Sequence, residues 1–297
     1  MKVHGFEHLL CPLDHQPLLP NAQGWHCPAG HQFDRAKQGY VNLLPVQQKR
    51  SLQPGDNKDM VRARKSFLDT GYYGPVASAL SNMVLTHINN SDTTEPAYLD
   101  AGCGEGYYLA EFIRHASEQP TEQPTVQRAQ HSVALLGLDI SKWAVQAAAK
   151  RSKQIQWVVG TNAQLPIANA SFDVISAVFG FPVYEEFARV LKPNGLLIVV
   201  EPTANHLHQL RDIIYPTVAQ TERPAPKAMP GFNLHGCQGV NFTIKLTSSN
   251  DILNLLAMTP HVHRITNEAL SRLTQLTELT VTVDMQCVLY LRNTSNE

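Results

Sequence analysis

From Ala97 to Leu99 the chain is apolar, and it then reaches a carboxylate, Asp100. Gly102, Gly104 and Gly106 follow at alternate positions, and Tyr107 to about His115 is patterned as a helix. This predicts a strand, a sharp turn and a helix. Apolar runs and helical patterns then alternate along the chain. Val133 to Leu138 reads as a strand ending at Asp139, with a helix over Trp143–Arg151. Gln156 to Gly160 and Ser171 to Phe179 read as the third and fourth strands. Tyr184 to Leu191 reads as a helix stopped by Lys192-Pro193-Asn194-Gly195, where Asn-Gly suits a left-handed cap. Leu196 to Glu201 is the fifth strand, and a helix follows from His206 and His208 through Tyr215. Asp251 to Met258 and Glu268 to Leu276 look helical, and Thr280 to Leu291 is a long strand. Ahead of the glycine turn, one helix starts near Asp56 and ends at Thr70-Gly71; a second spans Val76 to Ile88. Strands alternating with helices predict an α/β fold with a mostly parallel sheet.

Composition bounds this picture. The 297 residues are 43% hydrophobic and 16% charged, enough for one large α/β domain and a small appendage. No apolar run reaches the roughly 18 residues of a membrane span, and Met1 to Leu10 lacks a signal-peptide core. Five scattered cysteines give no disulfide framework and fit a reducing cytoplasm. The net charge of −1 announces no nucleic-acid binder, yet Arg35 to Lys65 holds eight Lys/Arg against two Asp. That local excess suits a phosphate-gripping segment or an ordinary solvated linker. Ser117 to Ser132 reads as an exposed loop, and Gln47 to Asn57 as a linker.

The chemistry concentrates at two places. Glycines without a Cβ let a ligand approach the turn, and the following helix offers unpaired N–H groups. A carboxylate before the glycines suits a cationic amino group better than a phosphate. Asp-x-Gly-x-Gly-x-Gly therefore resembles motif I of the class I S-adenosylmethionine methyltransferases. That resemblance implies that Asp139 holds the ribose diol, unless it merely caps the next helix. It implies that Asn162 and the Ala163 backbone N–H reach the adenine, and that Gly180-Phe181-Pro182 enters the methyl-transfer pocket. The second place is the N-terminus. Cys11-Pro-Leu-Asp14 and Cys27-Pro-Ala-Gly-His31 approach a four-ligand zinc pattern, with Asp14 where a cysteine is usual. The other reading is a degenerate finger held by Trp25, Phe33 and Tyr40.

Together, these pieces resemble the bacterial 23S rRNA (guanine-N1)-methyltransferases of the RlmA type. The resemblance is carried by Cys11, Cys27 to His31, His31-Gln-Phe-Asp34, Gly39-Tyr-Val-Asn-Leu-Leu-Pro45, Pro54-Gly-Asp56 and Arg64 to Gly71 ahead of Tyr73. It is carried further by Asp100 to Tyr108 and Gly137-Leu-Asp-Ile-Ser-Lys142. It implies a class I, Rossmann-like domain with a mostly parallel seven-stranded sheet behind a zinc-finger-like module. The divisions are 1–45 for the RNA-recognition module, 46–75 for a basic linker and helix, and 76–297 for the methyltransferase domain. The reaction implied is methyl transfer from S-adenosylmethionine to N1 of a guanine in the helix 35 hairpin of 23S rRNA. Cofactor contacts fall on Tyr73, Glu105, Gly106 and His206, beside Asp100, Gly102 and Gly104. Zinc ligands fall on Cys11, Asp14, Cys27 and His31. A homodimer is implied, with no DNA or membrane partner.

The chain departs from the family at Phe179-Gly180-Phe181-Pro182, where one extra residue separates aromatic and proline. Phe179, Phe181 and Tyr184 could form a platform for a splayed base or pack in the core. Glu185 and Glu201 lie near the appropriate strand ends, and neither is assigned as a base. A small-molecule methyltransferase of quinone or biotin-precursor type would explain the glycines but not the Cys/His module. A non-catalytic RNA-binding relic would not be expected to keep them.

Overall fold

The computed structural model describes residues 1–48, 51, 53–91, 93–118, 132–215 and 225–294. The first elements are strands β1 (Lys2–Gly5), β2 (Leu19–Pro20), β3 (Gly24–His26), β4 (Gln32–Asp34) and β5 (Tyr40–Asn42). Helices α1 (Lys58–Leu68) and α2 (Gly74–Asn89) lead into β6 (Ala97–Ala101) and α3 (Tyr107–Glu118). Then come β7 (Ser132–Asp139), α4 (Lys142–Arg151), β8 (Gln156–Val159) and β9 (Phe172–Val178). They are followed by α5 (Tyr184–Val190), β10 (Leu191–Pro202) and α6 (His208–Ile214). The chain closes with β11 (Phe232–Leu246), α7 (Ser249–Ala257), α8 (Asn267–Thr274) and β12 (Leu279–Arg292). Most of the expected loop from Ser117 to Ser132 lies outside the described residues, as do Lys49 and Arg50.

The main sheet runs β11-β12-β10-β9-β6-β7-β8-β5, with β1 also on β7. The seven strands from β11 to β8 are those expected of the fold. The N-terminal segment enlarges the sheet to nine strands. β1 pairs in parallel with Ser132–Leu135, and β8 takes the other half of the same edge, Leu136–Asp139. β5 adds to β8, with Tyr40 opposite Trp157. Tyr40 is thus part of the main sheet rather than of a small module core. Only β2, β3 and β4 form a sheet of their own. β6 and β9 are buried throughout and read as continuous apolar runs because helices or the ribbon cover both faces. One face carries α2, α3, α4 and α7; the other carries α5 and the ribbon residues Leu9, Leu18 and Trp25.

Local chemistry sets the ends. The Asn57 side chain accepts from the Asp59 and Met60 amides and starts α1. Ser141, not Asp139, caps α4, accepting from Ala144 N at 3.2 Å. α5 ends at Val190 and β10 begins directly at Leu191; Asn194 takes φ +61° in the irregular stretch between the Leu191 and Leu196 pairings with β9. The strand β11 has no counterpart in the sequence expectations. Its glycines, asparagines and largely exposed positions dilute the strand signal, yet it pairs with β12 along nearly its whole length.

Trp157 on β8 fixes how the glycine turn meets the sheet. A Cβ at Gly137 would lie 2.2 Å from the Trp157 ring, and one at Gly106 would lie 2.6 Å from it. Gly137→Ala is expected to cost about 1–3 kcal/mol by overpacking, read by urea unfolding. Gly236→Ala, with open space around it, should be near neutral. A double-mutant cycle of Gly137→Ala with Trp157→Leu should show a strong favourable coupling; strict additivity would mean the ring is not the obstacle.

Candidate functional site

The glycine turn is built as the sequence requires. Gly102, Gly104 and Gly106 have φ of +92°, +55° and +81°, values that disfavour any side chain. Gly102 N and Cys103 N both donate to Leu138 O, at 2.8 and 3.0 Å, tying the turn to β7. Asp100 ends β6 and is buried. Its Oδ1 accepts from Ser176 Oγ at 2.8 Å, and Ser176 in turn contacts the Tyr98 hydroxyl at 2.9 Å. Its Oδ2 is buried without a hydrogen-bond partner among the described residues. Burial pushes the Asp100 carboxyl up to about 7, against the Ser176 bond, and the charges of Asp139 and Glu105 add to the rise.

Two more acids crowd this turn. Glu105 is buried and its carboxyl is raised by burial, with Arg151 and Arg64 opposing. Arg151 Nη2 stands 3.5 Å from Glu105 Oε1, Nε donates to Glu105 O, and Nη1 donates to Asp69. Asp139 accepts from Ser141 N at 2.7 Å and from Gly104 N at 3.0 Å. Burial raises it too, those two N–H groups pulling the other way. Three carboxylates around one turn repel one another, and a bound cation would relieve that cost. Beyond Asp139, a cavity of about 270 Å³ is lined by Leu44, Pro54, Ile140, Trp143 and Val159 among others.

The remaining expected contacts are spread along the sheet edge. The Asn162 Oδ1 is buried without a partner among the described residues, as an oxygen awaiting a donor would be. The Ala163 N–H, expected to be available, donates to Thr161 Oγ1 at 3.2 Å within its own turn. Tyr73 is buried in the core at the start of α2, edge-on to Phe67. His206 follows β10, two strands from the glycine turn. Its Nδ1 accepts from Asp284 N at 3.3 Å, and burial lowers its ring to about 4, Arg211 reinforcing the drop and Asp284 opposing it. That ring is neutral at physiological pH.

The ribbon brings its four candidates together. Donor atoms of Cys11, Asp14, Cys27 and His31 all lie within 4.8 Å of one another. His31 Nδ1 is 3.5 Å from Cys11 Sγ, 3.3 Å from Cys27 Sγ and 3.1 Å from Asp14 Oδ2, and Cys27 Sγ is 3.3 Å from that same oxygen. Tetrahedral zinc, with bonds of about 2.3 Å to sulfur and 2.0–2.1 Å to nitrogen or oxygen, needs edges of about 3.3–3.8 Å. The set fits. Burial holds the Cys11 thiol up at about 11, so a metal must displace its proton. The ribbon also grips the turn after β8: Leu10 N donates to Pro166 O at 2.8 Å, and Leu9 bridges to Ile167.

The basic segment changes meaning. Arg64 pairs with Asp56 and its guanidinium lies about where a Cβ of Gly104 would reach, at 3.7 Å. Lys65 pairs with Asp69, and Arg62 with Asp59 at 3.0 Å. Much of the excess charge is locally matched, and Arg64 faces the glycine turn. Arg35, Lys37 and Lys58 remain on the surface. At the end of β9, Phe179 has φ +53° and is 42% exposed, and Phe181 is 92% exposed. Their loop abuts the glycine turn: a Cβ on Gly180 would lie 3.7 Å from Ala101 O. Tyr184 packs edge-on to Tyr290 and Phe232.

Two family models match the chain: the N-terminal zinc ribbon of RlmA over residues 9–52, and a methyltransferase domain over 92–230. A putative 23S rRNA (guanine-N(1)-)-methyltransferase of Micromonospora griseorubida is 34% identical over 95% of this chain and 97% of its own length. The 23S rRNA (guanine(748)-N(1))-methyltransferase of Streptomyces fradiae is 30% identical over 93% of both chains. A putative 23S rRNA (guanine-N(1)-)-methyltransferase of Bacillus subtilis is 26% identical over 89% of both. With ribbon, glycine turn and end-to-end similarity in agreement, the chain belongs to the family of 23S rRNA (guanine-N1)-methyltransferases.

Proposed function

We propose that this protein transfers the methyl group of S-adenosylmethionine to N1 of a guanine in the helix 35 hairpin of 23S rRNA. The observation that carries the cofactor reading is Asp100: a buried carboxylate oxygen without a partner, at the mouth of a glycine turn. The α-ammonium of S-adenosylmethionine is the kind of donor that oxygen lacks. Gly102, Gly104 and Gly106 give it room, and Glu105 adds negative potential. Asp139 keeps the turn closed through Gly104 N and has lone pairs left for ribose hydroxyls. Asn162 and Ala163, on the turn after β8, border the adenine, and the cavity beside Ile140 reaches Val159 at the end of that strand. Tyr73 backs the turn from the core, and His206 stands neutral at the edge, able to donate one hydrogen bond.

The sulfonium supplies an electrophilic methyl carbon. The chain has to hold the base in line with it and to unstack that base first. Phe179 and Phe181 offer exposed aromatic faces on the loop that touches the turn. We assign zinc to Cys11, Asp14, Cys27 and His31, and RNA recognition to the ribbon with Arg35, Lys37 and Lys58. The working unit is taken as a homodimer in the cytoplasm, on the family resemblance and on five free cysteines.

The decisive experiment is labelling with tritiated S-adenosylmethionine. The full chain should label 23S rRNA from cells lacking the gene, at one hairpin guanine; label confined to small molecules would overturn the reading. For Asp100, a cationic ligand takes only the ionised form. Affinity for S-adenosylmethionine should therefore be full above pH 7 and fall about tenfold per pH unit below it. Asp100→Asn should bind weakly and lose that dependence in calorimetry. Because the folded value is raised, the unliganded protein should lose stability as pH climbs from about 4 to 7, and Asp100→Asn should lose less. The protein should carry one equivalent of zinc. Cys27→Ser should abolish it and lower the melting temperature, whereas Asp14→Cys should keep it; a metal-free wild type as stable as the loaded one would refute the assignment.

A further inference from the structure

The methionyl tail of S-adenosylmethionine carries a carboxylate one carbon away from its α-ammonium. Asp100 answers the ammonium and leaves the carboxylate without a partner. The turn that receives the tail is hostile to a second anion. Glu105 and Asp139 already crowd Asp100 there, and like charges repel. A cation has to stand within reach. Burial raises the Glu105 carboxyl, and Arg151 and Arg64 both oppose that rise, so both act on the turn. Arg151 is committed to the protein. Its Nε donates to Glu105 O at 3.1 Å, its Nη1 donates to Asp69 at 2.8 Å, and its guanidinium lies 5.8 Å from the centre of the Tyr107 ring. Arg64 is placed otherwise.

Arg64 belongs to α1, and its Nη1 reaches the open side of the turn. A Cβ on Gly104 would lie 3.7 Å from that nitrogen and, chain neighbours aside, within 4 Å of nothing else. A Cβ on Gly102 would meet nothing within that distance. The two glycines therefore leave open space along the turn, between Asp100, which leads into it, and Arg64, which faces Gly104. Among the described residues the one ion pair of Arg64 is with Asp56. The two side chains are 24% and 26% exposed, so the guanidinium is held and still open to a ligand. It has five N–H donors, more than one carboxylate can use. Asp56 is fixed in its turn. Its carbonyl accepts from Ser141 Oγ at 2.6 Å, and the preceding Gly55 lies so close to Ile140 and Ser141 that a Cβ would be 2.9 Å from each. Arg64 also acts on Asp139, opposing the rise that burial causes there.

Resting on the methyl-transfer reading above, we propose that Arg64 binds the α-carboxylate of S-adenosylmethionine, with Asp56 as its positioning residue. Asp100 and Arg64 then read the tail of the cofactor as an amino acid, an anion for its ammonium and a cation for its carboxylate. A guanidinium meets a carboxylate with two parallel N–H···O bonds, a geometry that a lysine ammonium does not reproduce. The pair makes the site selective. S-adenosylhomocysteine keeps both charged groups of the tail and fits. An adenosyl sulfonium whose tail ends in a bare amine satisfies Asp100 alone. Arg64 lies on α1 and Asp56 on the linker before it, so the segment between ribbon and glycine turn supplies part of the cofactor site. One member of the basic stretch from Arg35 to Lys65 is thus turned inward to an organic carboxylate, not outward to phosphate.

The test is calorimetry on the full chain with two probes, S-adenosylmethionine and decarboxylated S-adenosylmethionine, with thermal melts alongside. The wild type should prefer the first by about 10–100-fold, the worth of a hydrogen bond to a charged group. Arg64→Met should lose about that much affinity for S-adenosylmethionine and keep its affinity for the decarboxylated probe, so that the preference vanishes. Asp100→Asn should weaken both probes, since both keep the amine. Asp56→Asn should reduce the preference without abolishing it. Arg64→Lys keeps the charge and the partner Asp56 but not the fork; it should stay folded and lose part of the preference. A wild type that binds both probes alike overturns the proposal. So does an equal loss for both probes in Arg64→Met, or a preference kept in full by Arg64→Met or Arg64→Lys. A wild-type chain that binds neither probe instead sinks the reading on which the proposal rests.

Discussion

An ionisable group kept inside the sheet with one oxygen unsatisfied sets the terms for everything around it. Leaving a buried polar atom unpaired costs about 1–3 kcal/mol, more if it is charged. Asp100 bears that cost with help from only one side, through Ser176 and Tyr98. Folding alone gives no reason to place a carboxylate there; Asn or Ser would be cheaper. The neighbours deepen the expense, since Glu105 and Asp139 push Asp100 toward its protonated form. Such a site is stable when a cation arrives and strained when it does not. The glycines then follow as a necessity. Any side chain on Gly106 would meet Trp157, and its positive φ excludes one independently.

The ribbon is joined to this site structurally. β1 and β5 are strands of the main sheet, and β5 lies against β8. Leu10 and Leu9 hold the turn after β8 from the other side, and that turn bears Asn162. A ribbon that loses its shape therefore loosens the wall beside the cofactor. The linker reinforces the link: Ser141 Oγ donates to Asp56 O, while Arg64, paired with Asp56, leans over Gly104. What reads as a separate head in sequence is a continuation of the catalytic sheet.

Contiguous features were legible in the sequence. Asp100 to Tyr108 specifies strand, turn and helix within a dozen residues, and Asn194 announces its left-handed turn. Cys11, Asp14, Cys27 and His31 converge as their spacing suggests. Features made by distant pairing were not. Tyr40 looks like finger core until β8, more than a hundred residues later, supplies its partner. β11 is polar and glycine-bearing because β12 stabilises it edge to edge, with little burial to leave an apolar pattern. The basic segment misleads for another reason. Arg62–Asp59 and Lys65–Asp69 stand at helical spacings and are readable as pairs, but a sum of charges conceals them.

The same distinction explains why the sequence leaves Glu185 and Glu201 side by side, with neither assigned as a base. Glu185 opens α5 and Glu201 ends β10, and the sequence alone does not rank them. Position in the sheet does. A first-turn helix position such as Glu185 points into solvent, where a carboxylate is fully hydrated and poorly placed. The end of a central strand fixes a side chain to the register of its neighbours. For Glu201 those neighbours are Phe179 on one side and Gln286 on the other, the latter 85 residues away in sequence. The parallel arrangement puts the ends of β6, β9 and β10 at one edge. Cofactor turn and aromatic loop therefore close two adjacent strands at that edge, with Glu201 and Gln286 on the next two.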